Sequence, residues 1–344
     1  MKRFKLWFRG MFGLMLIVLV SATFAEDKPA SMPKVLRVGY FGAVNSQLLA
    51  KNLGLDSDEA GIPVEWVKLE SGQSIVTALA SGSVDLGEIG FPPAATAIAA
   101  GVPLEGIFIS HLSGTGVALF VRPGKNIHSL KDLIGKKVGV PFGTNPHYLL
   151  ITALRLEGID PKRIQLLDLP PSEILAAYMR NDIDAGYVWQ PVLGKLTNSG
   201  AKIILTSEDM AKKGYPTGDI EVVRKAFVDK YPELVTKFVR GESHAAELWI
   251  ADPRKAAGIV SQELSLSAPV ATQLMSANRV LSASEQLQPA YLGSSTKKGA
   301  IVQSLKAVAD FLVQEGRLKS APNESVFKKF INPSYLERAN DNRR

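Results

Sequence analysis

The sequence contains no cysteine, and this removes several classes of protein from consideration. Without thiols the chain cannot build a disulfide scaffold, hold zinc through thiolates or carry a lipid on an N-terminal cysteine. Histidine is also scarce. The four histidines, His111, His128, His147 and His244, do not show the spacing of a metal site. We therefore expect neither a metal nor another cofactor.

Recognisable catalytic motifs are missing as well. The sequence has no Gly-x-Ser-x-Gly elbow, no phosphate loop ending in Gly-Lys-Ser or Gly-Lys-Thr, and no His-Glu-x-x-His. Asp182 and Asp184 stand two residues apart beside a turn, where solvated carboxylates are a simpler interpretation than a catalytic pair. These absences favour a binding protein over an enzyme.

Charge does not indicate a nucleic-acid partner. The chain carries 40 basic and 33 acidic residues, and four of the basic ones but no acidic one lie in the first 25 positions. The rest therefore has 36 basic against 33 acidic residues, a net charge of only +3. No basic run is interleaved with aromatic residues, and no segment after residue 25 is apolar for the roughly 20 residues of a membrane span.

The first 25 residues have the pattern of a secretory signal. Lys2, Arg3, Lys5 and Arg9 form a basic start, an apolar run follows, and small residues precede Ala25. This pattern predicts export to the periplasm of a Gram-negative cell with cleavage after Ala25. An uncleaved anchor is the alternative, although the apolar run is short for a membrane span.

Two segments of the chain repeat each other about one hundred residues apart. Residues 36–42 (LRVGYFG) are echoed by residues 137–143 (KVGVPFG). The stretches IVTALA and SVDLG, within residues 75–87, are echoed by ILAAYM and DIDAG within residues 174–186. Each copy is typical of a strand–helix–strand unit, so the repeat predicts two similar lobes with a ligand cleft between them.

Apolar runs alternate with helical patterns over residues 35–225, and helices dominate afterwards. We therefore predict an α/β protein with two lobes, in which sheets are flanked by helices and the ligand cleft lies between the lobes. Lobe I comprises residues 34–115 and 221–335, lobe II comprises residues 116–220, and residues 336–344 form a tail. The two crossings between the lobes would form a hinge.

Ligands of parallel α/β sheets bind beyond the carboxyl ends of the strands, where helices begin and free N–H groups suit anions. Four loops occupy such positions, at residues 41–46, 70–74, 90–93 and 142–147. The candidate ligand-binding residues from these loops and two later positions are Phe41, Asn45, Gln73, Phe91, Thr144, Asn145, His147, Trp189 and Asp219.

Several of these candidates also have a purely structural interpretation. Asn145 and Thr144 can cap a helix, since Pro146 suits a first helical turn. Phe91 can pack in a core, and His147 can be a buried polar residue one turn into the helix.

The last two candidates lie outside the loops. Trp189 follows an apolar strand and precedes Gln-Pro, which fits a cleft wall better than a core. Asp219 follows a glycine- and proline-rich stretch at the second predicted crossing. Its carboxylate could pair with a ligand's ammonium group, but position alone favours an aspartate of a surface loop.

Four segments resemble the taurine-binding proteins of ABC importers. They are residues 69–76 (LESGQSIV), residues 140–148 with Val-Pro-Phe and His-Tyr, residues 187–191 (YVWQP) and residues 216–225 (PTGDIEVVRK). The resemblance covers the chain from about residue 35 to about residue 332. The wider family includes binders of aliphatic sulfonates, nitrate and thiamine precursors.

The resemblance implies a type II periplasmic binding fold and a ligand with a sulfonate at one end and an amine at the other. Asp219 matches the family's ammonium-binding aspartate, and Trp189 matches a cleft aromatic residue. Thr144 and His147 match the fourth loop. The expected function is capture of taurine or a related sulfonate by a monomer that delivers it to an ABC transporter permease in the inner membrane.

Two loops depart from the family pattern. Residues 45–46 are Asn-Ser where Glu-Pro is usual, and residues 90–93 are Gly-Phe-Pro-Pro where a sequence like Gly-Ser-Ser-Pro is usual. The change removes a carboxylate and two hydroxyl groups, Pro92 and Pro93 offer no N–H donors, and Phe91 adds apolar bulk. These departures predict a ligand that is taurine-like but larger or less polar.

Other ligands and functions stay open at this point. An alkanesulfonate, nitrate or a thiamine-precursor-like solute would suit the same fold, and an aromatic pair of Phe91 and Trp189 would favour a ring. The wider family also holds a pyrimidine-forming synthase, but that chemistry needs a histidine and metal-binding groups in the cleft and conflicts with export. A sensory domain would need a membrane segment that connects it to a signalling module.

Overall fold

The structure is a computed structural model that describes residues 32–42 and 44–341. The predicted signal peptide, residues 1–25, lies outside the described residues, as do the last three residues of the predicted tail. Within the described ranges no helix combines the length and apolar character needed to cross a bilayer. The strands of these ranges form two mixed sheets, one of six strands and one of five.

Residues 36–113 supply four strands of the first sheet. In chain order the elements are β1 (Leu36–Tyr40), α1 (Ser46–Leu53), α2 (Leu55–Ala60), β2 (Val64–Lys68), α3 (Gly72–Ser81), β3 (Leu86–Gly90), α4 (Phe91–Ala99) and β4 (Leu104–Ser113). β1 pairs in parallel with both β2 and β3. Gly82 ends α3 with a φ of 78°, a left-handed conformation that glycine adopts without strain.

Residues 117–212 form the second sheet. The elements are β5 (Val117–Val121), a 3-10 helix (Leu130–Leu133), β6 (Lys137–Val140), α5 (Asn145–Leu156), a 3-10 helix (Pro161–Arg163), β7 (Gln165–Asp168), α6 (Pro171–Met179), β8 (Ala185–Trp189), α7 (Val192–Asn198), β9 (Lys202–Thr206) and α8 (Ser207–Lys212). The strand order is β7-β6-β8-β5-β9, with β6 parallel to both neighbours and β5 antiparallel to both.

The chain then returns to the first sheet. The elements are β10 (Gly218–Arg224), α9 (Lys225–Val228), α10 (Pro232–Ala251), α11 (Pro253–Glu263), α12 (Ala268–Ser276), β11 (Asn278–Arg279), α13 (Ala283–Gln286), α14 (Ile301–Gln314), α15 (Glu324–Phe330) and α16 (Ser334–Asp341). β10 inserts antiparallel between β3 and β4. The first sheet therefore has the order β11-β4-β10-β3-β1-β2, and the predicted mixed α/β class is confirmed.

The repeat in the sequence corresponds to a repeat in the structure. β1, β2 and β3 hold the same relative places in the first sheet as β6, β7 and β8 hold in the second. In both sheets a glycine faces a glycine across the central parallel pair, Gly39 beside Gly87 and Gly139 beside Gly186. A Cβ on Gly87 would lie 2.6 Å from Ile75 Cγ2, so the helix that covers the strand excludes a larger residue.

Two predicted boundaries differ from the structure. The sequence pattern predicts a helix over residues 269–280, but α12 ends at Ser276, because the next residues pair with the edge of β4, where Asn278 stands opposite Ser113. Asp219, predicted in a loop, is the second residue of β10. In both cases a strand edge far away in the sequence supplies the hydrogen-bonding partner, which local periodicity does not reveal.

Candidate functional site

A cavity opens where residues from both sheets meet the first turns of several helices. Its lining residues are Phe41, Val44, Ser71, Gly72, Gly90, Pro93, His111, Ser113, Gly116, Val117, Thr144, Asn145, Pro146, Trp189, Gln190, Asp219 and Asn278. The cavity volume is about 70 Å³, which is room for about five water-sized groups. The cavity therefore suits a small solute.

Three helices begin at this cavity. The lining residues Gly72, Gly90 and Asn145 mark the starts of α3, α4 and α5. A first helical turn leaves N–H groups without helical acceptors and carries a partial positive charge, so it attracts anions. Pro92 and Pro93 remove N–H donors from α4, whereas the first turn of α3 contains no proline. This part of the cavity can hold an anion without lysine or arginine.

A buried carboxylate, Asp219, faces the same cavity. Asp219 is only 6% exposed and stands opposite Gly90 in the neighbouring strand. A Cβ on Gly90 would lie 3.1 Å from Asp219 Oδ1, so the glycine leaves the space that the carboxylate occupies. Asn145 Nδ2 donates to Asp219 Oδ1 and to Gly218 O, each at 3.1 Å. Asp219 is therefore not the surface-loop residue that its sequence position suggested.

Asp219 belongs to a row of three buried titratable side chains. His111 Nδ1 lies 3.6 Å from Glu88 Oε1, and His111 Nε2 lies 4.0 Å from Asp219 Oδ2. Asn45 Nδ2 donates to Glu88 Oε1. Among the described residues, these three are the group that is close enough to hold a metal ion, with one donor atom of each within 4.8 Å of the others. His111 directs its two ring nitrogens at different carboxylates, at distances that suit ion pairs and are too long for hydrogen bonds.

Burial and mutual contact shift the pKa of these groups. Burial raises the pKa of Asp219 to about 7, with His111 opposing the shift and Glu88 adding to it. Burial lowers the pKa of His111, but the Asp219 and Glu88 carboxylates outweigh this effect, and the pKa is raised overall. The row therefore holds protons near neutral pH, and a cation beside Asp219 would favour its ionised form.

Three further carboxyl groups are buried behind this row. Glu221 accepts hydrogen bonds from Gln47 Nε2 at 3.1 Å and from Ser110 Oγ at 3.4 Å. Burial raises the pKa of Asp56, Glu221 and Glu242 well above the ordinary carboxyl range. Repulsion among the carboxylates adds to the shifts of Glu221 and Glu242. The interior beside the cavity therefore favours protonated carboxyl groups.

Five of the nine predicted ligand-binding residues line the cavity. They are Phe41, Thr144, Asn145, Trp189 and Asp219. Phe41 and Trp189 supply aromatic walls, and Thr144 stands directly before α5 as its N-cap. Asn145, predicted as the cap, is instead the first residue of α5. Contact of these residues with a ligand stays a prediction.

Three of the other four predicted residues are directed away from the cavity. Asn45 is 1% exposed and caps α1, its Oδ1 accepting from Leu48 N at 3.0 Å. Gln73 is exposed to solvent on α3. Phe91 is 2% exposed and packs in the core. The aromatic pair of Phe91 and Trp189 that would favour a ring-shaped ligand is therefore not formed in the cavity.

His147 lies in a second, separate hollow. Its ring stacks on Phe142, with centroids 4.5 Å apart and planes 27° apart, and meets the edge of Phe311. Burial lowers the pKa of His147 to about 3, and the positive charges of Arg317 and Arg155 add to this effect. His147 is therefore a neutral packing residue between α5 and α14.

The cavity is also lined by residues that are not among the nine predicted ones. The apolar run predicts a strand over residues 104–110, but β4 continues to Ser113, and this brings His111 and Ser113 to the cavity. A polar residue just after an apolar run is a signal that could have identified His111. Asn278 gave no such signal, because its surroundings are helical in periodicity.

The fold is the one seen in periplasmic binding proteins. The alkanesulfonate-binding protein SsuA from Xanthomonas axonopodis pv. citri, solved bound to MOPS, matches with a TM-score of 0.73 and 23% sequence identity. The match covers 88% of this chain and all (100%) of that one. The predicted two-lobed periplasmic binding fold is thereby confirmed.

Comparison of sequences places the chain in a family. Residues 48–256 match the family described as NMT1/THI5 like, and the chain belongs to that family. It is 42% identical over 195 residues to the taurine-binding periplasmic protein of Escherichia coli (strain K12). This match covers 57% of this chain and 60% of that protein. It is 26% identical over 264 residues to a putative aliphatic sulfonates-binding protein of the same organism. This second match covers 76% of this chain and 82% of that protein. The resemblance drawn from the sequence is confirmed.

Proposed function

We propose that this chain is the solute-binding component of an ABC importer and that it captures taurine or a closely related aminosulfonate in the periplasm. It would deliver this solute to a permease in the inner membrane. The observation that carries the proposal is the presence, in one small cavity, of three helix N-termini and a buried carboxylate, Asp219. The names of the sequence relatives agree with this chemistry.

The charges around the cavity favour a zwitterion over a simple anion. None of the described lining residues is lysine or arginine. A lone anion would meet the carboxyl group of Asp219, with Glu88 buried behind it, and His111 is the one basic side chain among the described lining residues. Charge-assisted hydrogen bonds to a sulfonate contribute roughly 1.5–3 kcal/mol each, so several of them support the roughly −8 kcal/mol of micromolar binding.

Binding and release, rather than catalysis, is the activity that we propose. The predicted lobes, residues 34–115 with 221–335 and residues 116–220, would close around the solute by rotation at the two crossings. Gly116 N donates to Ala277 O at 2.9 Å, so the first crossing is hydrogen-bonded to the C-terminal part of the chain. A closed monomer would then dock on the permease.

Calorimetry with purified protein tests this function. Taurine should bind with micromolar affinity. Ethanesulfonate lacks only the amino group, and it should bind at least tenfold more weakly because it forms no ammonium contact with Asp219. Failure of taurine, alkanesulfonates and nitrate alike to bind at micromolar concentration would refute the proposal.

One alternative has a specific observation in its favour. Phe41, Val44 and Trp189 give the cavity apolar walls, which also suit an alkanesulfonate. Equal affinities for taurine and ethanesulfonate would favour that alternative over an aminosulfonate.

A further inference from the structure

Two amide oxygens at the cavity have no hydrogen-bond donor among the described residues. They are Oδ1 of Asn145 and Oδ1 of Asn278, and both atoms are buried. Both residues line the cavity together with Asp219. A buried acceptor without a donor is costly, and most such groups in proteins have a partner. Two of them beside one cavity indicate that a ligand supplies the missing donors.

The orientation of both amides is determined by their neighbours. The Asn145 Nδ2 group donates to two acceptors, Gly218 O and Asp219 Oδ1, each at 3.1 Å. The Asn278 Nδ2 group donates to Val44 O at 3.0 Å. Turning either amide over would place its oxygen against these acceptors, so the oxygen must be the end left free. Each asparagine therefore offers its amide oxygen as an acceptor beside the cavity.

The two asparagines come from different parts of the fold. Asn145 is the first residue of α5, beside the second sheet, and Asn278 lies on β11 at the edge of the first sheet. A Cβ on Gly116 would lie 3.3 Å from Asn278 Oδ1, so this oxygen is close to the first crossing between the sheets. Oxygen acceptors from three parts of the fold therefore belong to residues that line one cavity: Asp219, Asn145 and Asn278.

We propose that the cationic end of the ligand is a primary ammonium group whose N–H donors are shared among Asp219, Asn145 and Asn278. This assignment rests on the proposed function and adds a selection rule to it. Ligand affinity would depend on the number of N–H groups on the cation, because each acceptor needs a donor of its own. A quaternary ammonium has the same charge but no N–H group, and it would leave both amide oxygens unsatisfied.

A series of ligands tests the rule on the unmodified protein. The probes are taurine, N-methyltaurine, N,N-dimethyltaurine and N,N,N-trimethyltaurine, with 3-aminopropanesulfonate as a control that adds bulk but keeps the primary ammonium. Calorimetry should show affinity falling as N–H groups are removed, with at least a hundredfold loss for trimethyltaurine and a clearly smaller loss for the control. Trimethyltaurine within threefold of taurine would overturn this assignment while leaving the proposed function intact. No binding of taurine at all would overturn both.

Substitution of Asn278 distinguishes ligand contact from a structural role. Asn278→Ala should weaken taurine about tenfold and leave trimethyltaurine unchanged, because only taurine donates to the lost oxygen. Ser71→Ala is the matched control, because Ser71 lines the cavity and caps α3, whose first turn we expect to hold the sulfonate. It should weaken every ligand of the series by the same factor. A uniform loss across the series in Asn278→Ala would mean that the residue only supports Val44 and would overturn its assignment. If that variant does not fold, the ligand series still decides the question.

Discussion

Replacing Asp219 by asparagine should make the protein more stable at alkaline pH and a much poorer taurine binder. Burial raises the pKa of Asp219 from 3.8 to about 7. A raised pKa means that the folded protein binds the proton more tightly than the unfolded chain. The stability that protonated Asp219 contributes to the folded protein is therefore fully present below pH 3.8 and is lost as pH rises through about 7.

The size of the effect follows from this shift. About three pKa units at roughly 1.36 kcal/mol each amount to about 4 kcal/mol of stability lost above pH 8 in the native protein. Asparagine does not ionise, and its oxygen can still accept the hydrogen bond from Asn145. Part of the gain is offset because His111 loses the carboxylate that raises its pKa. We expect a net gain of about 2–3 kcal/mol at pH 8 and less than half of that at pH 5.

Urea denaturation at both pH values measures the stability of the Asp219→Asn variant, and calorimetry measures its ligand affinity. Taurine should bind about 10–150-fold more weakly, as expected for the loss of one charge-assisted contact of roughly 1.5–3 kcal/mol, and ethanesulfonate should bind as before. Asp182→Asn is the control, since Asp182 pairs with Arg180 on the exposed surface and its loss should change stability by less than about 1 kcal/mol. The reasoning would be refuted if the variant and the native protein showed the same difference in unfolding free energy between pH 5 and pH 8 and bound taurine equally well.

Three further predictions follow from the same structure. Glu242→Gln should raise the free energy of unfolding at pH 8 but not at pH 5, because burial raises the pKa of Glu242. Glu233→Gln is an exposed change on the same helix, and in urea denaturation it should leave the free energy of unfolding unchanged at both pH values. Equal effects of the two substitutions would contradict the explanation. Gly90→Ala should lower taurine affinity at least tenfold in calorimetry, because the new Cβ would lie 3.1 Å from Asp219 Oδ1 and displace the carboxylate. Native affinity would show that binding does not depend on this position of the Asp219 carboxylate. Trp189 lines the cavity, so taurine should change the protein's fluorescence, and Trp189→Phe should abolish that change while binding persists; a signal that survives the substitution would place the ligand elsewhere.

Local sequence determined much of this molecule. The two copies of the strand–helix–strand pattern, at residues 36–87 and 137–186, became equivalent parts of two sheets. Alternating apolar runs encode which faces are buried, and glycine, proline and serine encode where helices start and stop. Positions that directly follow a strand, such as Phe41, or directly precede a helix, such as Thr144, could therefore be placed at the cavity in advance.

The direction of a side chain within a loop or first turn was not encoded in the same way. Gln73 follows Gly72 on α3 and His147 follows Pro146 on α5, yet only the earlier residue of each pair lines the cavity. Successive residues of a helix point about 100° apart, so a shift of one position turns a side chain from the cavity to solvent or to a neighbouring helix. That rotation is determined by how the helix packs on its sheet.

Sequence alone therefore specified the class, the repeat and the strand ends that frame the cavity. Only the tertiary structure brought Asp219, His111 and Asn278 together, since they lie on β10, β4 and β11, which meet through pairing of strands up to about 170 residues apart. Burial by those distant strands also raised the pKa of Asp219 and left the amide oxygen of Asn278 without a donor. Burial and unmet hydrogen bonds are properties of the packed chain, because they depend on which distant segments exclude water from a group.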